Sequence, residues 1–157
     1  MRAISRFALA ATLIGATCIS SLAAPSNVLC DSIAHSFSAT LDGSVIKHPI
    51  GQHMCNVAVG QFATMSVSVN VSLMSGSAST LKSMRAMLKT PTTLEPTLGD
   101  GAYSVLDAGG GGMLPQFTIN AAKSGKWAII EIRRKAGFDA TALGKARAGA
   151  KAFLASL

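Results

Sequence analysis

Between Cys55 and Leu73 the chain alternates. Every second residue from Cys55 is mostly apolar: Cys55, Val57, Val59, Ala63, Met65, Val67, Val69, Val71, Leu73. The residues between them are small or polar, including Asn56, Ser66, Ser68, Asn70 and Ser72. A period of two marks strands with one buried and one wet face. Nineteen extended residues would reach roughly 60 Å, too long for one strand, so the stretch must fold back. Gly60 is the expected turn, because glycine accepts positive φ without steric cost. A two-residue turn would place Thr64 and Ser66 on the valine face. A three-residue loop, 60–62, pairs Val59 with Ala63, Val57 with Met65 and Cys55 with Val67, and keeps one apolar face; it is the expected form.

The same reading extends in both directions. Asn27 to Phe37 predicts a helix capped by Asn27, with Leu29, Ile33 and Phe37 at four-residue spacing. Leu41-Asp42-Gly43-Ser44 is a turn signal, and Val45 to Ile50 an edge strand that tolerates Pro49. Ser77 or Ser79 caps a helix to about Lys89, with Leu81, Met84 and Leu88 on one face. Thr92 to Thr97 reads as loop. Ala102 to Ala108, Leu114 to Ala121 and Trp127 to Arg134 predict three strands, separated by Gly109–Gly112 and by Lys123-Ser124-Gly125-Lys126. Asp139 caps a closing helix to Leu157. The expected fold is α+β: an antiparallel sheet of about five strands with the N- and C-terminal helices on one face.

Composition places the chain. The 157 residues suit one domain. Arg2 and Arg6, an apolar Phe7 to Ile19 and small residues at Ser21-Leu22-Ala23 predict a secretory signal, 1–23, ahead of a single domain, 24–157. The alternatives are an uncleaved anchor helix over Phe7 to Ala24, or a lipoprotein built on Cys18 behind a poor lipidation box. Cleavage after Ala23 leaves no transmembrane segment. It also removes two arginines, taking the formal charge from +7 to +5. Cys30 and Cys55 then remain, most simply as one disulfide of an exported, periplasmic or extracellular protein.

These features carry a resemblance. Cys30 near the first helix, Cys55 opening a hairpin, the Leu98-Gly99-Asp100-Gly101-Ala102-Tyr103 turn and the Ala/Leu helix 143–157 resemble small exported domains of unknown function. Many of those are actinobacterial lipoproteins. The resemblance implies a PsbP-like α+β fold and brings no reaction or catalytic residues. The chain departs from the pattern in its missing lipobox, its Gly109–Gly112 run and the lack of an aromatic near Cys55.

The chemistry on offer is thin. His48, His53 and Met54, with His35, could hold a soft ion such as Cu(I), since a bridged Cys55 is no thiolate ligand. No Gly-x-Ser-x-Gly is present, and the carboxylates are scattered, so a hydrolase would need an unrecognised site. Gly109–Gly112 lacks the Lys-Ser/Thr of a phosphate loop. Lys123, Lys126, Arg133, Arg134 and Lys135 form a candidate surface for a protein or an anionic envelope polymer. Nucleic acid is not expected, because Trp127 and Tyr103 are the only Trp and Tyr and no basic–aromatic interleaving occurs. The expectation is a non-enzymatic binding or interaction domain without a cofactor, in one version an immunity or inhibitor protein. Metal handling and hydrolysis are the alternatives. The Ser/Asn/Thr face of the hairpin is the expected docking surface.

Overall fold

Residues 27–61 and 64–157 are described by a computed structural model of the chain. The predicted signal segment and Cys18 lie outside these residues, as do Phe62 and Ala63. The elements in order are α1 (Asn27–Ser36), α2 (Ser38–Leu41), β1 (Val45–Pro49), β2 (Met54–Val59), β3 (Val67–Ser75), α3 (Ala78–Met87), β4 (Thr93–Leu94), a 3₁₀ turn (Pro96–Leu98), β5 (Tyr103–Asp107), β6 (Gln116–Lys123), β7 (Lys126–Arg134) and α4 (Ala140–Ala155). The strands make one antiparallel sheet of seven, ordered β1-β2-β3-β7-β6-β5-β4. This confirms the α+β class and corrects the expected five. The two residues of β4 are too few to show a period in the sequence, and they lie where a loop was expected.

The hairpin forms, with a longer loop than the sequence suggested. Val59 pairs with Val67, Val57 with Val69 and Cys55 with Val71. The connection is 60–66, closed by Ser66 N–H donating to the Val59 carbonyl at 3.1 Å. The true register lies four residues from the expected one. An even slip leaves the paired strand residues on their expected face, while Met65, expected on the apolar face opposite Val57, lies in the loop and lines the opposite side.

The apolar face carries the core. Val57, Val69, Val71, Phe117, Ile119, Ile130 and Ile132 are buried with Ile33 of α1, Phe37 at the α1–α2 junction, Leu41 of α2, and Phe153 and Leu154 of α4. Cys30 and Cys55 are bridged, with Cα atoms 5.5 Å apart, which fastens α1 to β2. Asp139 caps α4 as expected, accepting from Ala142 N–H at 2.7 Å. Inside α4, Gly149 meets the Phe37 ring so closely that a β-carbon there would overlap it.

One buried charge sits on this face. Glu95, just after β4, is 4% exposed. It accepts from Ser104 Oγ at 2.7 Å and from Arg147 Nε at 2.9 Å, with Arg147 Nη2 at 2.8 Å. The guanidinium also lies 5.3 Å over the Phe117 ring. The hydrogen bond to Glu95 raises the Arg147 pKa further above its ordinary value, against the opposing effect of burial.

Helix α3 lies on the other face. Its Ser77 cap is a capping box with Thr80. Register puts Tyr103 beside Asn120, and Ala122 beside Trp127, away from the core. Trp127 Nε1 donates to Asn120 Oδ1 at 3.1 Å. Tyr103, Asn120 and Leu81 are buried there without belonging to the main core. Burial raises the Tyr103 phenol above its ordinary pKa. Not all helices gather on one side, then: α1, α2 and α4 cover the apolar face, and α3 covers part of the polar one. Among the described residues no helix is long and apolar enough to cross a membrane.

Candidate functional site

Among the described residues, the polar face is covered by α3 at its β5–β6 end and by no helix over β1, β2, β3 and β7. Strand register sets the side chains there in rows. One row runs Ile46, Ala58, Ser68, Arg133, Gln116. The next runs His48, Asn56, Asn70, Glu131, Thr118. The central strands contribute short side chains, so the middle of the face is low. Ile46, Ile50 and Met54 stand higher along the β1 side. Gln61 and Met65, from the 60–66 loop, line the same hollow as Ser68. Ala58 and Ser68 are buried although no helix among the described residues lies over them. The result is a groove of about 480 Å³, within the roughly 300–1,000 Å³ typical of small-ligand sites.

The groove floor is polar and incompletely paired. Glu131 accepts from Asn70 Nδ2 at 3.2 Å. Because a carboxylate only accepts, this contact turns the amide so that Asn70 Oδ1 faces away from it. That oxygen is buried and has no hydrogen-bond partner among the described residues. Leaving a buried acceptor unpaired costs on the order of 1–3 kcal/mol. Arg133 Nε donates to Gln116 Oε1 at 2.9 Å, and Nη2 stands 3.7 Å from Glu131. The fork is held at its base and keeps further N–H groups for another acceptor. Among the described lining residues Arg133 and His48 are ionisable, and the Glu131 carboxylate stands beside them, bonded to Asn70 and 3.7 Å from Arg133.

The structure separates the residues that the sequence suggested as sites. His48 and Met54 share the groove, diagonal across β1 and β2. His53 lines a smaller depression with Met74 and Lys126. His35 is exposed on α1, in the helical layer over the apolar face. Among the described residues no three His, Cys, Asp or Glu side chains gather as a metal site. His48 and Ser68 stand two strands apart, roughly 10 Å between backbones, too far for a nucleophile and its base.

The five basic residues are also divided. Lys123 and Lys126 pair across the β6–β7 turn. Arg133, Arg134 and Lys135 close the far end of β7, roughly 25 Å away by strand rise. Arg133 points to the groove. Arg134 and Lys135 line a depression beside α2, where Asp42 offsets their charge and Arg134 donates to the Gly137 carbonyl. The run in sequence is therefore not one patch in space.

Sequence reasoning missed Ile46, Ile50, Asn70 and Met65 as a group. Asn70 belongs to the polar half of the alternation, identified as a docking surface without its shape; Met65 falls in the apolar half, and Ile46 and Ile50 lie outside the alternating stretch. Glu95 and Arg147 lie 52 positions apart, and no local pattern links them. The chain matches no family model, no curated protein and no solved structure.

Proposed function

We propose that this chain is a non-enzymatic, exported binding domain whose ligand seats in the groove over β1, β2, β3 and β7. The observation that carries the reading is the groove itself: apolar walls around a floor that holds a buried acceptor without a partner among the described residues. Folded proteins rarely leave such an atom unpaired unless something else meets it. The single buried bridge suits export, since disulfides persist in oxidising compartments. The resemblance to small exported Cys-bridged domains belongs to the same proposal. So does an immunity or inhibitor role, in which a partner's apolar side chain would fill the groove.

The test uses anilinonaphthalene sulfonate, an anionic apolar dye, with the purified chain. Its fluorescence should rise with a saturable curve. Ile50→Glu and Met54→Glu each place a negative charge in the wall, which repels the sulfonate and removes apolar contact, and should abolish that rise while leaving the thermal melt in place. An unchanged curve in both variants would remove the groove from consideration. Metal handling retains only the His48–Met54 diagonal, and Cu(I) titration followed by the His48 ring signals checks it; unmoved signals end that reading.

A further inference from the structure

The sheet ends differently at its two edges. At one, β4 is two residues long and leads into a 3₁₀ turn, a short edge of the kind that discourages pairing. At the other, among the described residues, β1 is open along Val45–Pro49. Ile50 N–H donates to the Met54 carbonyl at 2.8 Å. By the alternation of an antiparallel ladder, His48 and Ile46 then also turn their backbone groups toward β2, and Val45, Lys47 and Pro49 turn theirs outward. Pro49 stands where its missing N–H takes nothing from the β1–β2 ladder.

The outward groups are symmetric about Lys47. A second β1, laid antiparallel across a two-fold axis at Lys47, meets the first group for group. Lys47 exchanges both hydrogen bonds with Lys47 of the second copy, and each Val45 N–H meets the opposite Pro49 carbonyl. Only the Val45 carbonyl, facing a proline nitrogen, is left to water. An edge lysine ordinarily deters such pairing. Here Asp31 holds Lys47 Nζ at 2.7 Å, so the axis carries as many negative charges as positive ones. On the groove side, Ile46 and Ile50, 38% and 53% exposed, become diagonal neighbours across the axis. On the core side, α1 packs over both β1 and β2. The two copies of α1 then lie about two strand spacings apart, roughly 10 Å, which is a helix-packing distance.

We infer that the β1 edge binds a second copy of this chain, β1 against β1 about Lys47, so that two seven-stranded sheets become one. The inference goes beyond the groove reading and does not rest on it, because the pairing occupies the edge and leaves the groove floor free.

Sedimentation equilibrium and hydrogen exchange by NMR test this on the full chain with its bridge intact. The apparent mass should rise with concentration toward twice that of one chain. Over the same range the Val45 and Lys47 amides should slow roughly tenfold, while those of Ile46 and His48, already bonded to β2, stay unchanged. Lys47→Pro removes the amide at the axis and none from the β1–β2 ladder, and should leave a folded monomer. Lys47→Ala loses the same ion pair but keeps the amide, and should still associate. Register is read by cross-linking: Lys47→Cys brings two α-carbons to about 5.5 Å and should form a covalent dimer on oxidation, whereas Ile46→Cys should not. A mass that stays at one chain at every concentration overturns the inference. So does association that survives Lys47→Pro, or that cross-links Ile46→Cys in preference to Lys47→Cys. Val45 and Lys47 amides that are already slow in the dilute monomer would mean that the chain covers its own edge, and overturn it as well. Dye binding in the groove stands or falls separately.

Discussion

Two glycines in α4 should respond to alanine with opposite signs. In a helix interior, Gly→Ala ordinarily stabilises by about 1 kcal/mol, through backbone entropy in the unfolded chain. At Gly144 nothing lies within 4 Å of where a β-carbon would stand. Gly144→Ala should therefore gain the full propensity term. At Gly149 the β-carbon would stand 2.8 Å from Phe37 Cε1 and 3.0 Å from Cγ. Phe37 is fully buried among Ile33, Leu41 and Phe153 and has no free volume to retreat into. Overpacking of this kind costs roughly 1–3 kcal/mol, commonly more than the propensity gain. The net expectation is a gain of about 1 kcal/mol at 144 and a loss of about 1 kcal/mol or more at 149. Urea unfolding followed by Trp127 fluorescence measures both, with equal m-values as the check on two-state behaviour. If Gly149→Ala stabilises as much as Gly144→Ala, the α2–α4 contact is looser than described and the reasoning fails.

Other perturbations probe separate parts of the fold. Arg147→Leu strands the Glu95 carboxylate and should cost about 3–5 kcal/mol; Glu95→Gln with Arg147→Met should recover much of it, and a double-mutant cycle by urea unfolding decides. Tyr103 is held above its ordinary pKa by burial, so its neutral form is favoured in the folded state. Above about pH 10 the unfolded chain then binds fewer protons than the folded one, and stability falls as pH rises. Tyr103→Phe should flatten that alkaline decline, measured by urea midpoints from pH 8 to 11. Replacing Cys30 and Cys55 together by alanine should cost about 3 kcal/mol in the loop-entropy model, seen as a melting temperature lower by roughly 10 °C; an unchanged melt would show that the bridge constrains nothing.

Faces were legible in the sequence, and distances along the chain were not. Alternation from Cys55 to Leu73 identified Val57, Val59, Val67, Val69 and Val71 as one face, because burial acts on each side chain singly. It left the loop undetermined, since any even slip keeps the same face. Helix caps at Ser77 and Asp139 were readable because capping is local. Strand β4 was hidden by its two-residue length. The groove was partly visible, as the short polar face of the hairpin. Its walls were not, because Ile46 and Arg133 meet that face only through the order β1-β2-β3-β7. Arg133 looked like one member of a basic run. Its actual neighbours are Gln116 and Glu131, partners assigned by the sheet.

The bridge has a mechanical consequence. Cys30 and Cys55 are 25 positions apart, and the segment between them holds the C-terminal turns of α1, all of α2 and β1. Stretched from its ends, the oxidised chain withholds that segment from extension. Its contour is roughly 85 Å, released only when the bond is reduced. A pore or motor drawing the chain in from its C-terminus would therefore meet two strands abreast at Cys55, and would have to pass or cleave a covalent loop before reaching α1.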